Sequence, residues 1–404
     1  MISLDDARQR VLGGVTLLAP CDSPCEEASG LVLAADVVAT EDVPPFANTA
    51  VDGFAVRSVD VRVVPVDLRV TGTIAAGDGA ERTVGEGEAI RIMTGAVMPS
   101  GADAAVMIED TQQSAGSVVR VLKSVSAGSA VRPIGDDVRR GEVVFRSGTV
   151  LGPAGAGVLA SINARRVSTY PRARVALLST GDELVTDGSM LRRGQIRESN
   201  LTMLEILIAQ SQCVVTNLGV VADDEPLLES VLLDAADRHD AIITSGGVSM
   251  GDFDVVKSVL SRIAEMQWMQ MAIKPAKPFA FGILARDQRR VPVFGLPGNP
   301  VSSMISFELL ARPALRKMMG HTRDLVRPSV RAIADRPLRR KRDGKTHFMR
   351  VFGSFADDGR LHVHDTGPQG SHQLAATAMA NGLAVVPDGT GVEAGGEVEV
   401  MLLH

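Results

Sequence analysis

The chain has 404 residues, 45% hydrophobic and 22% charged, with a formal net charge of −6; that length exceeds the roughly 250–300 residues at which single cores stop growing, so at least two domains are expected. The acidic balance and an aromatic content of 3%, with one Trp and one Tyr, argue against nucleic acid as a partner, which calls for basic surface and stacking rings. Three scattered cysteines, Cys21, Cys25 and Cys213, exclude a disulfide framework. With no signal-type N-terminus and no apolar run of about 20 residues, the expectation is a cytoplasmic protein with no membrane partner.

Ser3 reads as a helix N-cap, with Asp5 and Asp6 in the first turn and Leu4, Ala7, Val11 and Val15 spaced for one apolar face. From Val43 to about Ile134 the pattern becomes short alternating runs, among them Val61–Val66 and Ala89–Met93, broken by Gly and Pro, which predicts a β-rich module. Gly135 to Arg172 holds a further strand-like run and a small-residue helix around Ala154–Ile162, and reads as closing back onto the N-terminal helix. From Arg174, buried strand, turn and helix succeed one another repeatedly. Val175–Ser179 leads to Gly181-Asp182-Glu183, Ala241–Thr244 to Gly246-Gly247, and Val291–Gly295 to Pro297-Gly298-Asn299-Pro300. Helical patterns lie at Leu201–Gln210, Glu225–Arg238, Asp254–Ile263 and Ser302–Met319. This alternation predicts a parallel, doubly wound α/β domain whose ligand sits at the carboxyl ends of its strands. After His321, β patterns return at His347–Phe352, Leu361–His364 and Val398–Leu402, a small all-β domain. Within it the basic run Arg339-Arg340-Lys341-Arg342, followed by Asp343-Gly344, reads as a solvated hairpin end, and His362 and His364 as surface residues.

The turns carry the candidate chemistry. In Thr244-Ser245-Gly246-Gly247-Val248-Ser249-Met250-Gly251-Asp252, adjacent glycines after a buried strand let backbone N–H groups approach an anion, and the helix that follows adds partial positive charge. Asp252 stands where a Walker loop carries Lys, so this is not a P-loop. Two like charges about 4 Å apart repel by roughly 4 kcal/mol at an effective dielectric of 20, so an acid beside a bound anion calls for a cation between them. Mg²⁺ held by Asp252 and Glu183 is one source. Lys274 and Lys277, stiffened by Pro275 and Pro278, are another. Pro297, Asn299 and Pro300, around Gly298, form a turn that shapes a pocket and starts a helix. Asp52 before Gly53, Thr94 in Arg91–Ala96, and Asp137 after Gly135-Asp136 are weaker candidates that read first as β-turns.

Together these segments resemble the molybdopterin molybdenumtransferase family, which includes the enzymatic C-terminal part of gephyrin, over nearly the whole chain. The run Thr244–Asp252 carries most of the likeness, with Thr180–Leu184, Ile273–Phe279 and Leu296–Ser303. Asp52-Gly53-Phe54-Ala55, Arg91–Ala96 and the terminal β-domain point to the molybdenum-inserting branch. The resemblance implies a multidomain α/β chain: an N-terminal α+β domain from 1–46 and 135–172, an inserted β-rich domain at 47–134, a molybdopterin-binding α/β domain at 173–321, and a β-barrel-like domain at 322–404. It implies a homodimer whose active sites lie between the α/β domain of one subunit and the inserted domain of the other. Adenylylated molybdopterin and molybdate would be the substrates, with molybdenum cofactor and AMP as products. Gly246, Gly247 and Ser249 would hold phosphate; Asp252 with Glu183 would place Mg²⁺; Lys274, Lys277, Arg350 and Ser371 would attract molybdate. Asp52, Thr94 and Asp137 would complete the site from the partner side. A molybdopterin adenylyltransferase and cofactor-accepting proteins are the implied partners.

Val51, Phe54, Val97 and Met250 depart from the family's usual residues without removing a charge, which leaves pocket shape open. Two other readings compete. A molybdopterin adenylyltransferase would need only the α/β domain, and a non-catalytic scaffold would not need these acids and lysines together.

Overall fold

The structure, a computed structural model, describes residues 1–79, 81–113, 116–248 and 255–403. They fall into two compact units, one made of Met1–Cys21, Gly30–Ala34 and Thr169–His404, the other of Asp22–Ser29 and Ala35–Ser168.

In the larger unit a six-stranded sheet is built from β1 (Arg174–Thr180), β2 (Val214–Val221), β3 (Ala241–Ser245), β4 (Glu265–Gln270), β5 (Pro278–Arg286) and β6 (Arg289–Leu296), in the order β2-β1-β3-β6-β5-β4. Side chains alternate across it, as the period of two demands. Val175 and Leu177 of β1 and Ile243 of β3 enter a core shared with helix Asn200–Gln210, the helical stretch after Pro300, and the N-terminal helix Leu4–Gly14. Ala176, Leu178 and Ile242 enter the opposite core, under helices Glu225–Arg238 and Val255–Ile263. Full burial of each larger side chain contributes about 1.5–3 kcal/mol, which is why Val175–Leu178 of β1, Ala241–Ile243 of β3 and Val291–Leu296 of β6 read as apolar runs.

The sheet is doubly wound as expected but not wholly parallel, because β5 runs antiparallel to both β4 and β6. Only Asp287 and Gln288 separate β5 from β6; a parallel crossover needs a dozen residues or more, so so short a link dictates a hairpin. The helix expected over Ser302–Met319 runs as Pro300–Ser306, a π turn Phe307–Ala311, and Arg312–Met318. Inside that turn Glu308 is fully buried and accepts from Arg327 Nε and Nη2, both at 2.9 Å.

The chain then closes a barrel. Strands Ser329–Ala334, Thr346–Phe355, Leu361–Asp365, Gly382–Val386 and Glu397–Leu402 pair in a ring, the first with Leu361–Asp365 and Glu397–Leu402, and Thr346–Phe355 with Leu361–Asp365 and Gly382–Val386. Met349 and Val351 point into its core, so Phe348 and Arg350 face outward. Phe348 packs into the same core as β1 and β3. The basic run is solvated at Arg339, Lys341 and Arg342 but not at Arg340, whose side chain is buried with Nη2 at 2.7 Å from Asp343 and 2.6 Å from Asp388, and Leu338-Arg339 pairs with Gly391-Val392 rather than forming a hairpin with the next strand.

The smaller unit holds a six-stranded sheet of its own, ordered Ala104–Met107, Gly53–Val56, Glu88–Ile92, Val66–Ile74, Val118–Val121, Thr111–Gln113. Val61–Val66 is not a strand: a 3₁₀ turn at Ser58–Val61 precedes Pro65, and pairing starts at Val66. Proline lacks the N–H that a ladder needs. Among the described residues no helix is long and apolar enough to cross a membrane.

Candidate active site

The order of the central sheet reverses at β1: its successor in the chain, β2, lies on one side and β3 on the other. Helices leaving the two strands go to opposite faces, which opens a crevice at the carboxyl ends. A cleft of about 630 Å³ occupies that position, lined by Thr180 and Gly181 after β1, Asp223 after β2, Gly246 and Gly247 after β3, and Pro297 and Asn299 after β6.

Gly246 and Gly247 adopt φ of 94° and 71°, the left-handed region that favours glycine. A side chain on Gly247 would meet Val256 at 2.2 Å, so the turn is also pressed against the next helix. The Gly246 N–H donates to Leu296 O at 3.0 Å and is therefore taken. Gly247 N–H has no acceptor among the described residues, which makes it the donor of the pair open to an anion. Glu183 is exposed, its carboxylate folded against Gly181, and it shares the cleft with Asp223. Ser249 and Asp252 lie outside the described residues.

A second cavity, about 280 Å³, lies beside the barrel and is lined by Lys274, Arg339, Lys341, His347 and Arg350, among others. Arg350 is fully buried, yet no carboxylate pairs with it among the described residues. Its Nη1 donates to Gln369 O at 3.1 Å and Nη2 to Pro368 O and Gly370 O at 2.8 and 3.2 Å, while Nε has no partner among the described residues. Burial pushes the guanidinium down to about 10, so it stays charged at neutral pH. Pro275 brings the lysine loop here: Ile273-Lys274 pairs with Thr346-His347 of the barrel. Lys277 is exposed and lines neither cavity. Pro300 opens a helix, and Val301 N–H donates to Ser371 O at 3.2 Å, seating Ser371 at that helix start.

In the smaller unit Asp52 Oδ1 accepts the N–H and Oγ–H of Thr94 at 2.7 and 2.9 Å. Those two bonds, with the nearby Arg91, hold its carboxyl below the usual range, so it is an anion at neutral pH. Asp137 is exposed on a separate loop, its N–H bonded to Val43 O at 2.9 Å.

Known proteins resemble this chain over nearly its whole length. Residues 2–163 match the family described as "MoeA N-terminal region (domain I and II)", residues 176–317 the "Probable molybdopterin binding domain", and residues 331–403 the "MoeA C-terminal region (domain IV)". The molybdopterin molybdenumtransferase of Haemophilus influenzae is 35% identical over 398 residues, covering 98% of this chain and 97% of that protein. Molybdopterin molybdenumtransferase 2 of Mycobacterium tuberculosis is 37% identical over 392 residues, 94% of each chain. The chain belongs to the molybdopterin molybdenumtransferase, or MoeA, family. A MoeA structure from Pyrococcus horikoshii superposes with a TM-score of 0.82 at 28% identity, covering 100% of both chains.

Two cleft residues of this MoeA family member escaped the sequence reading. Asp223 sits between the end of β2 and Asp224, whose side chain caps helix Glu225–Arg238; a second acid at a helix start reads as capping, although a strand-to-helix turn at the sheet's carboxyl edge was the available signal. Asn200 opens the helix after Glu198, whose carboxylate accepts the N–H groups of Asn200 and Leu201 at 2.9 Å. Burial raises the Glu198 carboxyl against those bonds.

Proposed function

We propose that this chain transfers molybdenum from molybdate to adenylylated molybdopterin, producing molybdenum cofactor and AMP, as a cytoplasmic homodimer. The observation that carries the reading is the pairing, within one unit, of a turn-built cleft of ligand size and a buried arginine with no carboxylate partner among the described residues. Membership of the molybdopterin molybdenumtransferase family supports it.

In this reading Gly247 N–H, with Gly246 allowing close approach and Ser249 nearby in sequence, holds a phosphate of the ligand. Pro297, Asn299 and Pro300 fix the shape of the cleft. Lys274 and Arg350 draw molybdate into the cavity they line, with Lys277 and Ser371 acting from outside that lining: a dianion entering beside Arg350 supplies the counter-charge that a buried guanidinium otherwise lacks. The 280 Å³ cavity holds a tetrahedral oxyanion with room for water at about 30 Å³ per water molecule. In the homodimer, Asp52, Thr94 and Asp137 of one protomer serve the cleft of its partner, and Thr94 keeps Asp52 ionised and oriented.

Mg²⁺ fits the cleft in a limited sense. Glu183 and Asp223 both line it, whereas no cluster of three metal-binding side chains occurs among the described residues. Two carboxylates suit an ion that takes its remaining oxygens from phosphate and water; Asp252 is the third candidate ligand. When bound, Mg²⁺ would neutralise charge on the pyrophosphate and stabilise the charge that develops there. The protein's own part is to hold the pyrophosphate against Gly247 and the oxyanion against Arg350.

The test is incubation of purified protein with adenylylated molybdopterin, Mg²⁺ and molybdate, following AMP release and reconstitution of a molybdenum enzyme. Molybdate-dependent AMP and active cofactor are expected. Intact substrate would make the chain a scaffold, and consumption of ATP with bare molybdopterin would make it an adenylyltransferase.

A further inference from the structure

Asn200 is only 7% exposed and lines the cleft, yet no role above uses it. Its Nδ2 donates at 2.8 Å to Ser245 Oγ and at 2.8 Å to Gly298 O. A backbone carbonyl can only accept, so the Gly298 contact fixes which end of the amide carries nitrogen. Ser245 closes β3 immediately before Gly246-Gly247, and Gly298 lies in the turn after β6. One carboxamide thus ties together two turns that line the cleft. They run close: a Cβ on Gly298 would lie 3.8 Å from Gly246 Cα.

The same orientation leaves Asn200 Oδ1 buried with no donor among the described residues. An apolar side chain of similar size would avoid that penalty, so the amide is kept for the two bonds it donates. The residue is itself anchored at the helix start by Glu198.

We propose that Asn200 is a positioning residue for the cleft, its carboxamide setting the spacing between the Gly246-Gly247 turn and the Pro297–Pro300 turn and hence the fit of a nucleotide-bearing ligand. The proposal rests on the reading of the cleft as the seat of adenylylated molybdopterin. Asn200→Asp is the sharpest probe: it preserves size but sets a carboxylate oxygen against the Gly298 carbonyl, turning an attraction into a repulsion. Asn200→Ala removes both bonds and Ser245→Ala removes one.

Full-length variants would be titrated calorimetrically with AMP and with adenylylated molybdopterin, with thermal unfolding and the KM and kcat of AMP release measured alongside. Asn200→Asp is expected to weaken binding by about 30-fold or more and Ser245→Ala by about three- to tenfold, with KM rising and kcat changing less than about threefold. The Asn200→Ala, Ser245→Ala double variant should bind no worse than Asn200→Ala alone, because both changes remove the same tie. A purely structural side chain would lower the unfolding temperature without this coupling in KM. Folded Asn200 variants that bind within about threefold of wild type, or independent losses in the double variant, overturn the proposal. Should Asn200→Asp not fold, unchanged binding by Ser245→Ala overturns it. Failure of the wild-type protein to bind either ligand removes the reading of the cleft and this proposal with it; normal wild-type binding with unaffected variants removes only the role of Asn200.

Discussion

In the cleft between β1 and β3 the charged side chains are carboxylates, Glu183 and Asp223, and the positive character comes from a backbone N–H at a glycine turn. In the cavity beside the barrel they are cations: Lys274, Arg339, Lys341 and a buried Arg350 held by three carbonyl oxygens. Both suit an anion, but of different kinds. A phosphate that arrives with Mg²⁺ tolerates acids nearby, because the metal lies between like charges. A bare dianion does not, and is better held where cations line the wall and the nearby carboxylates, Asp343 and Asp388, are already paired with Arg340 and His347. Under the proposed reaction, this contrast would separate the two substrates by electrostatics before any chemistry takes place.

Arg350→Lys should break the comparison most severely. Lysine keeps the charge but loses the planar fork that reaches the carbonyls of Pro368, Gln369 and Gly370. Hydrogen bonds to charged groups contribute about 1.5–3 kcal/mol each, so half-saturating molybdate should rise by about 10- to 100-fold while affinity for AMP stays within about twofold. Steady-state AMP release against molybdate concentration gives the first quantity and calorimetry the second. An equal loss in both would mean that the cavities act as one site.

Glu183→Gln and Asp223→Asn probe the other side. Each removes one carboxylate from the cleft and leaves the cationic cavity untouched. The Mg²⁺ concentration needed for half-maximal AMP release should rise about tenfold in either variant, with the molybdate requirement unchanged. Unaltered Mg²⁺ dependence in both would take these acids out of metal binding and leave the glycine turn as the cleft's means of holding phosphate.

The difference between the two regions also governs how well each can be read from sequence. Most of the cleft is made of turns that follow strands buried at their carboxyl halves, so β1, β3 and β6 appear as apolar runs leading into Gly or Pro, and Gly181, Gly246-Gly247 and Pro297–Pro300 stand out. Edge strands β2 and β4 do not: Val214 is among the exposed apolar residues, and β4 reads Glu-Met-Gln-Trp-Met-Gln with its outer positions half in solvent. The cavity beside the barrel gives almost no local signal. Arg350 alternates with Met349 and Val351 in a strand, where an outward arginine ordinarily means water; here the outward face is covered by another part of the unit. Only the family resemblance singled out Arg350 and Ser371. Arg340 misled for the same reason, since Asp388, which pairs with it, lies far along the chain. Tertiary pairing decides whether a charge is solvated, and composition does not carry it.

The smallest expected effect concerns the segment joining the two regions. His321 follows helix Arg312–Met318 and leads into the barrel; it is 5% exposed, and Arg316 Nη2 lies 3.3 Å from its Nδ1. A guanidinium can only donate, so Nδ1 is an acceptor and the ring is neutral. Burial, with Arg316 and Arg312 nearby, pushes its pKa down to about 4. In the unfolded chain the imidazole takes up a proton near pH 6.5, whereas in the folded protein it does so only near 4. Stability from this group is therefore constant above about pH 6.5 and falls as the pH drops from there toward 4, by at most about 3 kcal/mol. Urea unfolding of wild type and His321→Gln at pH 7.5 and 4.5 isolates the imidazole's contribution, since carboxylates titrating in that window contribute alike to both proteins. The variant should lose less stability on acidification than wild type. An equal loss would mean that the imidazole is protonated in the fold and that the joint between cleft and barrel is not acid-sensitive at this residue.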